Sequence, residues 1–235
     1  MGTKYNPRVV TNGLSTYFDV ANTRSYVGSG ITINGLVSGI GLSLVNGVGF
    51  GTTATRYFIF DGVDDNVPFN IPNVGTIMSI EMWAKIKAFA GGMPFGFLQY
   101  DVWLSGGAMG YNTAASDQYG LTSTQVTNLG LVNQWKHYVF EMRTDVSYSN
   151  NKIYINGQNQ SLSQVAGTEN ASVRSFNSGN GRLSSWLTSN AFNLSMDLAQ
   201  FRVYNRALTA FEVLQKYNAT KKGESVARSS CISPY

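Results

Sequence analysis

The segment Ile77 to Lys87 places Met78, Ile80, Met82, Ala84 and Ile86 on one side of an extended chain. Ser79, Glu81, Trp83, Lys85 and Lys87 fall on the other. This period of two is that of a strand with one buried face and one partly wet face, and a helix cannot satisfy it. Further strand signals stand at Leu14 to Asp19, Leu42 to Phe50, Tyr57 to Phe60, Phe95 to Leu104, Trp135 to Arg143, Lys152 to Ile155, Arg182 to Leu187 and Leu194 to Tyr204. Short runs at this spacing predict an all-β sandwich or barrel.

Turn chemistry separates the runs. Asn46-Gly47, Asp61-Gly62, Gly91-Gly92, Gly106-Gly107 and Asn156-Gly157 supply backbone that tolerates positive φ. Lys152 to Ile155 followed by Asn156-Gly157 is the strongest hairpin signal. Only 13% of the residues are charged, while Gly numbers 25, a balance that fits strands and tight turns better than helices. The exception is Thr209 to Asn218. Thr209 and Glu212 form a capping box, and Phe211, Leu214 and Tyr217 can share one face. One domain over 1–220 is expected, with a polar tail over 221–235.

The only cysteine is Cys231, so no intrachain disulfide can form and the core must hold the fold. The N-terminal residues carry no signal-peptide or myristoylation pattern, and the apolar stretch from Ile31 to Phe50 is broken by Gly, Asn and Ser, so no membrane partner is expected. The net charge of +4 is modest. Lys216, Lys221, Lys222 and Arg228 are most simply the solvated end of a helix complementing its own dipole, and no nucleic acid is implied. Sequons such as Asn159-Gln160-Ser161 and Asn170-Ala171-Ser172 only mark turns.

Several residues invite chemistry. Asp61, Asp64 and Asp65 form the densest acidic cluster, and a hard cation such as calcium would want oxygens of that kind, with Asp197 as a further ligand. Ordinary turn chemistry explains the same residues, and no other cofactor is expected. His137 is the only histidine; with a single cysteine it cannot build a structural zinc site, and a hydrogen bond on a sheet face accounts for it. Tyr100, Trp103, Tyr111, Asn112 and Tyr119 lie in the glycine-rich middle, where they would either stack on a sugar or fill the second sheet.

The segments Phe60 to Val67, Ile80 to Ala84, Trp135 to Val139 and Ile153 to Gly157, followed by the final strand and helix, together resemble the laminin-G-like branch of the concanavalin A-like lectin and glucanase superfamily. That resemblance implies a jelly-roll sandwich of two antiparallel sheets with one short C-terminal helix. Gly13 to Gly30 and Leu208 to Lys221 look like the ends of such modules in tailed-phage virion proteins. The implied role is a non-enzymatic virion component, a capsid decoration or a tail or fibre part, made in the host cytoplasm. Its partners would be other virion proteins and copies of itself. The alternative is a carbohydrate-binding module for host surface glycans.

Because the superfamily includes glucanases, hydrolysis needs a direct test. A retaining enzyme needs two carboxylates about 5 Å apart. No acidic pair stands at i, i+2, and Glu81, Glu141 and Glu169 are far apart in sequence, so no catalytic residue is expected. One departure from the virion modules is an apolar stretch where they carry a polar loop. Ile31, Ile33, Leu36, Val37 and Ile40 are therefore expected to pack against a second subunit or the virion shell.

Overall fold

The computed structural model describes residues 9–37, 39–53, 55–113, 116–187 and 189–225. Strands β1 (Leu14–Asp19), β2 (Thr32–Asn34), β3 (Gly41–Ser43), β4 (Gly49–Gly51), β5 (Tyr57–Phe60) and β6 (Val67–Asn70) come first. They are followed by β7 (Ile77–Ile86), β8 (Gly92–Gly96), β9 (Asp101–Ser105), β10 (Ala108–Asn112), β11 (Gln118–Leu121) and a short helix, α1 (Ser123–Asn128). Then come β12 (Trp135–Arg143), β13 (Lys152–Ile155), β14 (Gln158–Asn159), β15 (Ser163–Ala166), β16 (Asn180–Leu183), β17 (Met196–Tyr204) and helix α2 (Ala210–Ser225).

Two antiparallel sheets stack face to face, as a jelly-roll requires. The first runs β14-β13-β12-β7-β17-β5-β4, with β1 also paired to β17. The second runs β15-β11-β10-β9-β8-β16-β6, and β2 and β3 form a separate hairpin. Met78, Ile80, Met82, Ala84 and Ile86 all enter the core, so the alternation of β7 is realised as its sequence predicts. Aromatic contacts join the layers. Phe95 meets Phe140 at 5.4 Å between ring centroids, and Phe69 meets Phe201 at 5.5 Å.

On the opposite face of β7, Ser79, Glu81 and Trp83 are buried, and only the Lys85 and Lys87 side chains remain partly exposed. Helix α2 lies across the first sheet, and Val213 packs with Val139, Tyr154, Tyr204 and Leu208 in a second apolar cluster. The capping box forms as expected: Thr209 N–H donates to Glu212 Oε2 at 2.8 Å, and Glu212 N–H to Thr209 Oγ1 at 3.2 Å. The buried face of the helix differs from the one its apolar residues mark. Phe211 is 74% exposed and Leu214 is also exposed, whereas Lys216 is fully buried. The reason lies beneath it on the sheet, where Glu81 offers a buried carboxylate 2.9 Å from Lys216 Nζ.

Other boundaries shift for physical reasons. The run from Phe95 to Leu104 is two strands, β8 and β9, and Leu42 to Phe50 is divided between β3 and β4. Lys221 to Ser225, expected as tail, continue α2; Arg228 and Cys231 lie outside the described residues. The apolar segment expected at a subunit contact is largely covered by its own chain. Ile33 is fully buried, Ile40 packs on the core, and Leu36 and Val37 are half-buried; only Ile31 stays exposed, at 66%. The hairpin β2–β3 achieves this, anchored where Leu36 N–H donates to Tyr17 O at 2.8 Å.

Candidate functional site

Strand alternation decides which side chains of the second sheet reach solvent. In β9 and β10, Val102, Leu104, Met109 and Tyr111 enter the core, so Asp101, Trp103, Gly110 and Asn112 face outward. Register then assembles two rows. Asn112 pairs with Asp101, and Gly110 pairs with Trp103 on one side and Gly120 on the other. The glycines are required by close approach: a Cβ at Gly120 would stand 2.2 Å from Met109 O and 2.4 Å from Gly110 Cα. The bare row also lets Gln118 Nε2 cross the sheet to donate to Trp103 O at 2.7 Å.

A loop after β16 walls this floor. Ser184 Oγ donates to Leu194 O at 2.8 Å, Met93 N–H donates to Phe192 O at 2.9 Å, and Trp186 Nε1 donates to Leu98 O at 2.8 Å. The Phe192 ring meets Trp103 at 6.1 Å and Trp186 at 6.3 Å, both edge to face. Phe192 holds φ at 65°, a left-handed conformation that is costly for a bulky aromatic and is tolerated where surroundings impose it.

Floor and wall enclose a pocket of about 300 Å³, lined by Met93, Asp101, Trp103, Asn112, Ser116, Trp186 and Phe192. Its size is at the lower end of small-ligand sites, about 300–1,000 Å³. Asp101 is 2% exposed. Among the described residues no donor reaches its Oδ1 and no acceptor reaches Trp103 Nε1. Burial, together with the neighbouring Asp117, pushes the Asp101 carboxyl well above the usual carboxylate range. Asp117 is satisfied otherwise: its oxygens accept from Thr113 N–H at 2.9 Å and from Thr113 Oγ1 at 2.7 Å, and its side chain is fully buried. The lining therefore presents one acid, Asp101, among the described residues.

The expected sugar residues separate. Trp103 and Asn112 line the pocket. Tyr111 is core, its hydroxyl donating to Glu141 O and Lys152 O, and Tyr100 is core, stacked on Phe176 at 5.9 Å and accepting from Asn151. Tyr119 stacks on Tyr148 at 5.4 Å. Met93, Asp101, Ser116, Trp186 and Phe192 join the pocket without having been singled out. The outward alternation of Asp101 and Trp103 was present in the sequence, but no local pattern brings a loop some eighty residues away across that face.

Asp61, Asp64 and Asp65 do converge, each offering an oxygen within 4.8 Å of the others. The loop also closes on itself, with Asp65 Oδ2 accepting from Asp61 N–H at 3.0 Å and Asp61 Oδ1 from Val63 N–H at 2.7 Å. Burial and its two acidic neighbours push Asp65 up, against the pull of that Asp61 N–H. Asp197 is engaged elsewhere, pairing with Lys85 at 2.6 Å and Lys87 at 3.0 Å. The acids weighed for hydrolysis are scattered. Glu81 lies beneath α2, Glu141 pairs with Lys152 at 3.3 Å, and Glu169 pairs with Arg174 at 2.9 Å. His137 Nε2 donates to Glu81 Oε1 at 3.0 Å, within the same sheet face.

A two-sheet sandwich with a small aromatic and polar pocket outside one sheet defines a lectin-like module. The chain belongs to the concanavalin A-like lectin/glucanases superfamily, whose laminin-G-type family model matches residues 61–214. No curated protein matches the sequence. Among solved structures it is similar to the binding domain of Paraclostridial Mosquitocidal Protein 1, at 14% identity and a TM-score of 0.61, covering 88% of this chain and 52% of that one. The receptor binding domain of botulinum neurotoxin C/D mosaic serotype gives 11% identity and 0.61, covering 88% and 51%. Trypanosoma rangeli sialidase in complex with sialic acid gives 13% and 0.62, covering 92% and 34%. The chain thus spans about half or less of each of these proteins, and at such identities the likeness is one of fold. No helix of the described residues is long and apolar enough to cross a membrane.

Proposed function

We propose that this protein is a carbohydrate-binding module that recognises surface glycans without cleaving them. The observation that carries the proposal is the pocket itself, where the Trp103, Trp186 and Phe192 rings stand beside the polar side chains of Asp101, Asn112 and Ser116. Sugar rings offer apolar C–H faces to aromatic walls and hydroxyls to such polar side chains. The similar folds support the reading, since one is a receptor binding domain and another, the botulinum neurotoxin serotype D ligand binding domain, is described in complex with N-acetylneuraminic acid.

The acids support binding without hydrolysis. Most glycosidases place two carboxyls beside the sugar, about 5–9.5 Å apart, and the described lining offers Asp101 alone. A tailed-phage particle, which the end segments resemble, is a setting where a glycan-binding module would meet a host surface. In that setting this chain would be a virion component whose chemistry is recognition.

A glycan array with the full chain tests the proposal. Defined oligosaccharides should be retained, and retention should fall at least about tenfold in Trp103→Ala and Trp186→Ala variants of unchanged melting temperature. Retention of no glycan, or binding indifferent to both substitutions, would remove it.

A further inference from the structure

Behind the aromatic wall of the pocket stands an arginine that the lining does not include. Arg182 lies on β16, where Leu183 enters the core, so Arg182 faces outward on the same side as the pocket floor. Register carries one row from Arg182 through Gly96 to Asp101. The bare middle position is taken by the wall loop itself: a Cβ at Gly96 would stand 3.0 Å from Ser185 O and 3.3 Å from Trp186 Cα. Arg182 is therefore on the far side of the loop from Asp101. From there its Nη1 donates to Ser189 O at 3.2 Å and to Asn190 Oδ1 at 3.3 Å. We infer that Arg182 is a positioning residue of the glycan site, pinning the tip of the wall loop so that the Phe192 ring is held between Trp103 and Trp186. Its bearing on binding rests on the glycan-binding reading above.

The loop is tied on both sides of Phe192. Arg182 holds Ser189 and Asn190, and Met93 N–H holds Phe192 O at 2.9 Å. Between these ties only Ala191 and Phe192 are left to turn the chain, and Phe192 does so with φ at 65°. An aromatic residue keeps that backbone only where its surroundings over-determine it. Within the loop, Ser185 Oγ donates to Ser189 O at 3.0 Å and Ala191 N–H to Ser189 Oγ at 3.1 Å, so the segment is gathered at Ser189. Among the described residues, the Arg182 bonds are the hydrogen bonds that join this gathered tip to the sheet. The charge of Arg182 points the same way. Arg143, Arg174, Arg202 and Arg206 each pair with a carboxylate. Half-buried Arg182 pairs with none among the described residues, its Nε meets no acceptor, and burial pulls its guanidinium below the usual value. A cation held without a counter-ion is a cost to the fold, so what this side chain supplies is its two bonds to the loop.

The test reads the wall directly. The full chain carries four tryptophans, Trp83, Trp103, Trp135 and Trp186, so labelling with 5-fluorotryptophan gives one fluorine resonance for each, assigned by single Trp→Phe changes. In Arg182→Met, which keeps the stem and removes the donors, the Trp103 and Trp186 resonances should shift or broaden while those of Trp83 and Trp135 stay in place. The melting temperature should not change. Affinity for the oligosaccharide most strongly retained on the glycan array, measured by isothermal titration, should fall about tenfold. Asn190→Ala, at an exposed position, removes one of the two acceptors and should move the same two resonances by less. Resonances of Trp103 and Trp186 that stay in place in Arg182→Met, or a melting temperature that falls without them, would make Arg182 a residue of the fold and overturn the inference. Moved resonances with affinity intact would overturn its bearing on binding. If the native chain retains no glycan, glycan recognition has failed, and the fluorine spectra still decide whether Arg182 sets the wall.

Discussion

Lys216 Nζ lies 2.9 Å from Glu81 Oε2, and neither side chain has any exposed surface. Arg202 completes the arrangement, donating to Glu81 Oε1 at 2.9 Å, and His137 Nε2 stands 3.0 Å from the same oxygen. Burial alone would push Glu81 up; Arg202, Lys216 and His137 overcome it and hold the carboxyl well below its usual range. Lys216 is pushed down to about 8, because burial and Arg202 outweigh the attraction of Glu81. The helix α2 is thus fixed to the first sheet by a charge cluster as well as by Val213.

Removing the single anion of that cluster should be severe. Glu81→Gln leaves two buried cations facing a neutral amide, and loss of one partner from a buried pair costs about 3–5 kcal/mol. Chemical denaturation should show the loss with little change in slope. A loss below about 1 kcal/mol would mean that water reaches the cluster.

The acid limb of stability has a defined sign. Glu81 and Glu212 both titrate below the ordinary value of 4.5 when folded, Glu212 at about 2, through its bond to Arg206 and the Thr209 donors. The unfolded chain therefore takes up protons near pH 4.5 that the folded chain refuses. The stabilisation is complete above that pH and is lost as pH falls toward 2. Melting temperatures recorded across this range should drop steeply in the native protein and less in Glu212→Gln.

Asp101 should behave in the opposite way. Its folded carboxyl is raised by burial and by Asp117 from an ordinary value of 3.8, so holding an acid here costs stability increasingly as pH rises above that value. Asp101→Asn removes the cost and keeps the shape. The variant should match the native protein near pH 4 and exceed its melting temperature at pH 7, with the gap still widening if the folded carboxyl has not yet ionised. A variant equally stable or less stable at both pH values would contradict the raised carboxyl.

Most of the fold was legible because it rests on local alternation. β1, β5, β12 and β13 coincide with their sequence runs, and the Thr209 capping box starts α2 where it should. The failures have a common cause in long-range pairing. Phe95 to Leu104 reads as one strand because both halves are apolar, and only the sheet partners of β8 and β9 reveal the turn between them. Lys216 reads as solvated because its counter-ion is 135 positions earlier in the chain. The pocket was legible at Trp103 and Asn112, which alternation turns outward. Trp186 and Phe192 reach it only by tertiary folding of a loop.

Stability and affinity should part company at Phe192. Its backbone stands at a φ of 65° and the residue is 40% exposed, yet its ring meets both Trp103 and Trp186. Asn tolerates this left-handed conformation far better than Phe. Phe192→Asn should therefore relieve backbone strain of about 1–3 kcal/mol, offset in part by the lost ring contacts, and leave the melting temperature unchanged or higher. The same change opens the aromatic wall, so glycan affinity should fall by about tenfold. Strain kept at a site is expected where the side chain serves binding. If Phe192→Asn instead lowered the melting temperature and left affinity untouched, the ring would be serving the fold, and the wall of the pocket would have to be sought elsewhere.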